Sequence, residues 1–395
     1  MPRALLVAHH YPPHIGGLGI VVWQQAKSMA ESGYEVTVLT SEYGPSNPQA
    51  DSDTRLEVIR VPCSHVIERL SSIVFPLFSP RLVFELWKQV KRAQVVHIHD
   101  VFYLSSWVGG VLAILFGRPM LLTQHVAMVE HPSKLVMAIQ RLVYGTIGRW
   151  IFSKALRIVV YNENVRAFLC SRGVPEARIL FMPNGIDTAQ FCPATAEERT
   201  EIRRRFGLPT DRRLVLFVGR LVEKKGYQIL LEARDPEFDL VFAGPGIIPR
   251  QGRVAGVHWT GPLDQAQTRA LYRACDVFAF PAVGEIFTLV MQEAMACGLP
   301  VVTTDDPAYV DSIASGSVVL CRRDADSFRT ALKSLCADTP SLLALSERSR
   351  QVAIRHFDWR ANIARLLDVY SEVLAGSRDS TWVAKKWEPR KRGGT

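Results

Sequence analysis

The chain has 395 residues, more than one hydrophobic core ordinarily holds and a natural length for two domains. Hydrophobic residues make up 48% and charged residues 22%, the proportions of a folded soluble protein. The net charge of +9 calls for an anionic partner, but the excess is mild and no nucleic-acid-binding module is present, so a nucleic acid is excluded.

MPRALLVAHHYPP carries one Arg and too short an apolar run for a signal peptide. The apolar runs 4–10, 35–41, 56–62, 95–100, 120–125, 157–162 and 179–183 are predicted strands, with helical spacing between them. The uncharged run Val101 to Gly117 is shorter than the roughly 20 residues of a spanning helix and is expected to be a buried helix. A second strand series follows at 213–219, 239–245, 256–261, 277–282, 299–305 and 317–321. Between the series lie Asn184-Gly185-Ile186-Asp187 and the charged segment TAEERTEIRRRFGLPTDRR, where the boundary is placed. The expected organisation is a 1–187 domain and a 188–358 domain, both α/β and Rossmann-like with parallel sheets, facing a central crevice. A basic tail, 377–395, carries a net charge of +4 and is expected to be disordered. Seven scattered cysteines without a C-x-x-C argue against a disulfide framework or a zinc site, and for a reducing, cytoplasmic compartment.

Several stretches carry candidate chemistry. Gly16, Gly17 and Gly19 are expected to precede a helix whose free N–H groups suit an anion; a third Gly is missing at Val22, so the dinucleotide fingerprint fails. In FVGRLVEKKG, Arg220 ends a strand and Lys225 follows before Gly226; two cations there suit a diphosphate. In GEIFTLVMQEAMACG, Glu285 belongs to a loop at a strand's carboxyl end. Glu293 lies early in a helix from about Thr288, a candidate N-cap, to Cys297, with Gly298 ending it. The carboxylates accept from hydroxyls, and the amides between them are unpaired donors. His125 ends the strand MLLTQH and is read as facing the crevice; His97 and His99 read as satisfied core residues.

Taken in order, HHYPPHIGGLG, TQH, PNGID, VGRLVEKKG, FAGPG, the E-x7-E segment and HFDWRANIARLLDVYSEVL resemble the family 4 retaining glycosyltransferases of GT-B architecture. The resemblance covers nearly the whole chain. It implies transfer of a sugar from a nucleoside diphosphate (UDP- or GDP-linked) to a hydroxyl of a lipid-linked or saccharide acceptor, with retention, no cofactor and no metal. It places Gly16 and Gly17 near the donor diphosphate, which Arg220 and Lys225 neutralise. Glu293 would accept from the ribose. Glu285 would contact the sugar, with amides of Phe287, Thr288 and Leu289 nearby, and His125 would sit by the reacting centre. The last helix, about 359–376, would cross back onto the first domain. Ile286 and Thr288 stand where Gly is common, and TTDDPAYVDSIASG lacks the usual Gly-Gly and Glu, so no role is transferred to it. A nucleotide-sugar epimerase and a non-catalytic sugar-nucleotide binder remain open.

From Glu130 to Glu163 no acidic residue intervenes, while Lys134, Arg141, Arg149, Lys154 and Arg157 alternate with apolar residues. This stretch, with SSIVFPLFSPRLVFELWKQVKR, is expected to meet the anionic inner face of a membrane peripherally.

Overall fold

A computed structural model of the chain describes residues 1–13, 17–42, 55–67, 75–128, 133–183, 185–246, 255–283, 288–306 and 316–375. The described residues divide into two compact units, one holding Met1–Met182 and residues 363–375, the other Pro183–Asn362.

The first unit contains β1 (Arg3–Val7), β2 (Glu35–Ser41), β3 (Leu56–Val61), the short antiparallel pair β4 (Cys63–Ser64) and β5 (Leu77–Phe78), β6 (Val95–His99), β7 (Met120–Gln124), β8 (Arg157–Val160) and β9 (Ile179–Phe181). Seven of these form a parallel sheet in the order β3-β2-β1-β6-β7-β8-β9. The second unit contains β10 (Arg213–Val218), β11 (Phe238–Ala243), β12 (Val257–Gly261), β13 (Val277–Phe280), β14 (Val301–Thr304) and β15 (Val318–Cys321) in the order β12-β11-β10-β13-β14-β15, again all parallel. Both sheets are covered by helices on both faces, so their central strands are near-continuous apolar runs: every residue of VVHIH, MLLTQ and FDLVFA is buried. The predicted parallel-sheet α/β architecture is therefore the one observed. The strand order reverses between β1 and β6 in one sheet and between β10 and β13 in the other. In open α/β sheets ligands collect at the carboxyl ends of strands flanking such a reversal.

Three details differ from the sequence reading. β1 stops at Val7 rather than residue 10: after Ala8 N–H donates to Leu39 C=O at 3.1 Å, the chain turns, and His9 stacks on Tyr103 with ring centroids 3.4 Å apart. Helix Gly17–Glu31 begins at Gly17, so Gly17 and Gly19 lie inside its first turn instead of preceding it. The charged segment where the boundary is placed carries an element that the strand series does not include. It folds as helix Ala196–Arg205, opened by a capping box in which Thr195 and Glu198 satisfy each other's backbone N–H groups. Arg203 of that helix is buried and reaches Asp276 at 2.7 Å, just ahead of β13.

Within the uncharged run 101–117 lies helix Leu104–Leu115, largely buried, with glycines at its tightest contact. A Cβ at Gly110 would stand 3.0 Å from the Ile151 side chain, a contact tight enough that Ile151 would have to shift to admit it. No described helix is long and apolar enough to cross a membrane. The last helix, Trp359–Leu374, buries Leu366, Val369, Tyr370 and Val373 on one stripe. Each such side chain contributes about 1.5–3 kcal/mol relative to exposure.

Candidate active site

In the first unit, polar side chains gather at the carboxyl ends of β6 and β7. His97 and His99 point to the same face of β6, their rings 4.2 Å apart. His97 is fully satisfied as a core residue, its Nδ1 2.6 Å from the Tyr370 hydroxyl and its Nε2 2.7 Å from Thr123 Oγ1. His99 is not merely structural. Its Nδ1 lies 3.2 Å from His125 Nε2 across the strand pair, which fixes the His125 ring. Tyr161, at the end of β8, packs edge-on against that ring at 4.9 Å. Burial pulls His97 and His125 down to about 3, so both imidazoles are neutral near pH 7.

Asp100 follows β6 with φ of 61°, an uncommon left-handed conformation for a residue other than Gly. Its Oδ1 accepts the His125 backbone N–H at 3.0 Å. Burial pushes its carboxyl up to about 7, against the opposing pull of the His125 and Val126 amides. Asp100 and His99 thus place His125, and the sequence reading assigned neither to the site. The available signal was position: both stand at the strand end beside the one that presents His125.

In the second unit, glycines bring the strand ends together. A Cβ on Gly244 would meet Gly219 C=O at 2.1 Å, and one on Gly226 would meet Pro281 C=O at 2.3 Å. Gly226 is left-handed, with φ of 74°, and pins the Lys225 turn against the end of β13. Lys225 Nζ lies 5.2 Å above the Phe280 ring, and Arg220 is exposed immediately after β10. The two cations therefore flank the β10/β13 reversal.

Helix Leu289–Ala296 starts at the expected place and ends in a Schellman turn, with Gly298 N–H on Met295 C=O at 3.0 Å and Leu299 N–H on Ala294 C=O at 2.9 Å. Thr288 holds the N-cap position, but its side chain caps nothing and its Oγ1 is buried without a partner among the described residues, contrary to the capping role read from sequence. The first-turn amides, Leu289 among them, are left as donors. Glu293 follows one turn later. Burial pushes its carboxyl up to about 7, and the Tyr272 hydroxyl beside it offsets part of that rise. Gly17 stands exposed at its helix start; Gly16, Glu285 and Phe287 lie outside the described residues.

Two parallel α/β sheets, each with its reversal point edged by polar residues, define the GT-B class. Solved structures agree: the chain is similar to sucrose-phosphate synthase from Thermosynechococcus elongatus (TM-score 0.74, 21% identity, 95% of this chain and all of that one). It is equally similar in fold to Anabaena Alr3699/HepE in complex with UDP (TM-score 0.75, 17% identity, 94% of this chain and 100% of that one). Residues 15–190 match the model described as Glycosyltransferase Family 4, and residues 198–352 match that described as Glycosyl transferases group 1. A D-inositol 3-phosphate glycosyltransferase of Corynebacterium aurimucosum is 26% identical over 388 residues, 91% of this chain and 92% of that protein. The chain belongs to glycosyltransferase family 4 and is a transferase of that family.

Proposed function

We propose that this glycosyltransferase moves a sugar from a nucleoside diphosphate to an acceptor hydroxyl with retention of anomeric configuration. The observation that carries the reading is the placement of two cations at the β10/β13 reversal: Arg220, exposed just past β10, and Lys225, whose turn the adjacent left-handed Gly226 seats against the end of β13. As the bond from the anomeric carbon to the diphosphate oxygen breaks, negative charge grows on the leaving group. Two fixed cations and the open amides at Leu289 stabilise it, which is electrostatic catalysis. Gly16 and Gly17 would add backbone contacts to the same diphosphate, and Phe287 and Thr288 would border the sugar. Glu293 is assigned to the ribose, Glu285 to the sugar hydroxyls and His125, neutral and oriented by His99, to the reacting centre. No carboxylate nucleophile is assigned to the opposite face, so the acceptor oxygen bonds to the anomeric carbon on the face the diphosphate leaves, and its proton passes to the departing phosphate oxygen. The cations do the work of charge neutralisation, and the reaction is read as metal-independent.

The UDP held by the Anabaena structure makes uridine the first donor base to test, with guanosine second. For the acceptor, the basic, partly apolar helices of the first unit support a lipid-linked or saccharide hydroxyl presented at a membrane surface; the relative's name adds D-inositol 3-phosphate as a soluble acceptor to assay. The test is product analysis with UDP- and GDP-sugars, with and without acceptor, the anomeric configuration read by NMR. His125→Ala and Glu285→Ala are each expected to lower turnover at least 100-fold. Unchanged turnover in both variants would refute these roles. Donor conversion without acceptor would identify an epimerase, and donor binding without turnover a binding protein.

A further inference from the structure

Away from the strand ends discussed above, the first unit carries a cavity of about 240 Å³ lined by Arg149, Arg172 and Arg178 together with Phe152, Ser153 and Val174. It lies where helix Ile147–Lys154 and helix Glu163–Ser171 both end, next to the start of β9. No described carboxylate pairs with any of the three arginines. Glu163 and Glu176, on the elements that border the cavity, are both engaged by Arg166.

A structural explanation is available for part of this charge. Arg178 donates to Ser153 C=O at 2.9 Å, and Arg172 caps its helix while its guanidinium lies 5.2 Å from the Phe168 ring. Cations at helix C-termini complement the dipole. The magnitudes do not match, however. Two helix ends supply roughly half a negative charge each, against three full positive charges, leaving an excess of about two. Like charges sharing one cavity repel, and the repulsion is relieved by an anionic guest. Guanidinium is the side chain whose fork fits phosphate oxygens.

The surroundings add a second observation. Helix Lys134–Gly145 exposes Leu135 (71%), Ile139 (45%) and Leu142 (65%) on one face, and helix Ile147–Lys154 exposes Trp150. A basic cavity bordered by helices with exposed apolar faces has the composition of an interfacial surface.

We infer that Arg149, Arg172 and Arg178 form a binding site for a phosphate group, separate from the diphosphate site proposed at Arg220 and Lys225. The guest is a phosphate mono- or diester, supplied either by a phospholipid headgroup or by a free phosphorylated solute. The site rests on the cavity and its charge, not on the acceptor reading above.

The test uses the full chain. Binding is measured to vesicles of phosphatidylglycerol in phosphatidylcholine by sedimentation, and to inorganic phosphate by titration calorimetry. The variants are Arg149→Gln/Arg172→Gln, the exposed single change Arg149→Gln, and a control, Arg204→Gln/Arg205→Gln, that removes the same charge from an exposed helix of the second unit. Arg178, which holds Ser153, is left intact so that folding is preserved. Vesicle binding lowered at least fivefold in the double variant, with the control near wild type, supports the site and assigns a lipid source. Saturable phosphate binding lost in the double variant, with no vesicle binding by any form, supports the site with a free-solute source and removes the membrane reading. Equal loss in the double variant and the control, or no binding of either probe by wild type, overturns it. If the double variant does not fold, the single change decides: an affinity equal to wild type for both probes overturns the site. UDP binding stays unchanged in every variant if the two sites are separate.

Discussion

Glu293 and His97 show opposite consequences of burial. A carboxyl pushed up to about 7 is partly protonated in the free protein at neutral pH, yet it must be ionised to accept from a ribose hydroxyl. Donor affinity is therefore expected to fall as pH drops through 7, by about tenfold between pH 8 and pH 6. Calorimetric titration with UDP at the two values checks this, and Glu293→Gln is expected to bind weakly with the dependence flattened. His97 is held down at about 3 in the fold against an ordinary 6.5. Between those values the unfolded chain takes up a proton that the native state refuses, so this contribution is present above 6.5 and is lost as pH falls. At pH 5 the loss is about 2 kcal/mol from this group alone. Asp100, raised to about 7, works in the other direction, stabilising the fold as pH falls. Comparing wild type with His97→Gln cancels the Asp100 contribution. The variant starts less stable at pH 7, having lost the Tyr370 and Thr123 contacts, but its urea midpoint is expected to drop less between pH 7 and pH 5. An equal drop in both proteins would contradict the assignment.

Two elements depend on single carboxylates paired with buried arginines. Asp276 accepts from Arg199 at 3.0 Å, Arg203 at 2.7 Å and the Leu214 amide at 2.8 Å, joining helix Ala196–Arg205 to β10 and to the start of β13. Asp276→Ala strands a buried guanidinium and an amide, and a loss of about 3–5 kcal/mol is expected in the stability of the second unit. That loss would appear as raised hydrogen exchange in β10 and β13 with little change in β1 or β2. In the first unit, buried Arg157 on β8 pairs with Glu372 on the last helix. Glu372→Ala is expected to cost a similar amount. Replacing both partners, as Arg157→Met with Glu372→Leu, is expected to cost less than the single change, because no charge is left uncompensated. A double variant less stable than Glu372→Ala would show that the pair is more than mutually compensating.

For the whole molecule, the two units have separate sheets and separate cores, and the nucleotide is assigned to one of them. Saturating UDP at about 100 times its dissociation constant is expected to add about 2.7 kcal/mol to the stability of the unit that binds it. Hydrogen-exchange protection is expected to concentrate at 219–227 and 288–293 and to spare β3 and the Arg149 cavity. Protection centred on the cavity instead would move the nucleotide away from Arg220 and Lys225.

The sequence by itself determined the class of fold, because strands of a parallel sheet are buried on both faces and so appear as apolar runs between helices. It also determined where cations and carboxylates fall relative to strand ends, which brought out Arg220, Lys225, Glu293 and His125. Only the tertiary structure decided the support beneath them. The Tyr370 hydroxyl meets His97 across 273 residues of chain, His99 meets His125 from the neighbouring strand, and Arg157 finds Glu372 across 215 residues. The arginine cavity likewise needs two helix ends to converge. Local periodicity reports which face of an element is buried, but not which distant residue lies against it. That is set by how strands order themselves in the sheet, and the partner of a buried polar group follows from that order.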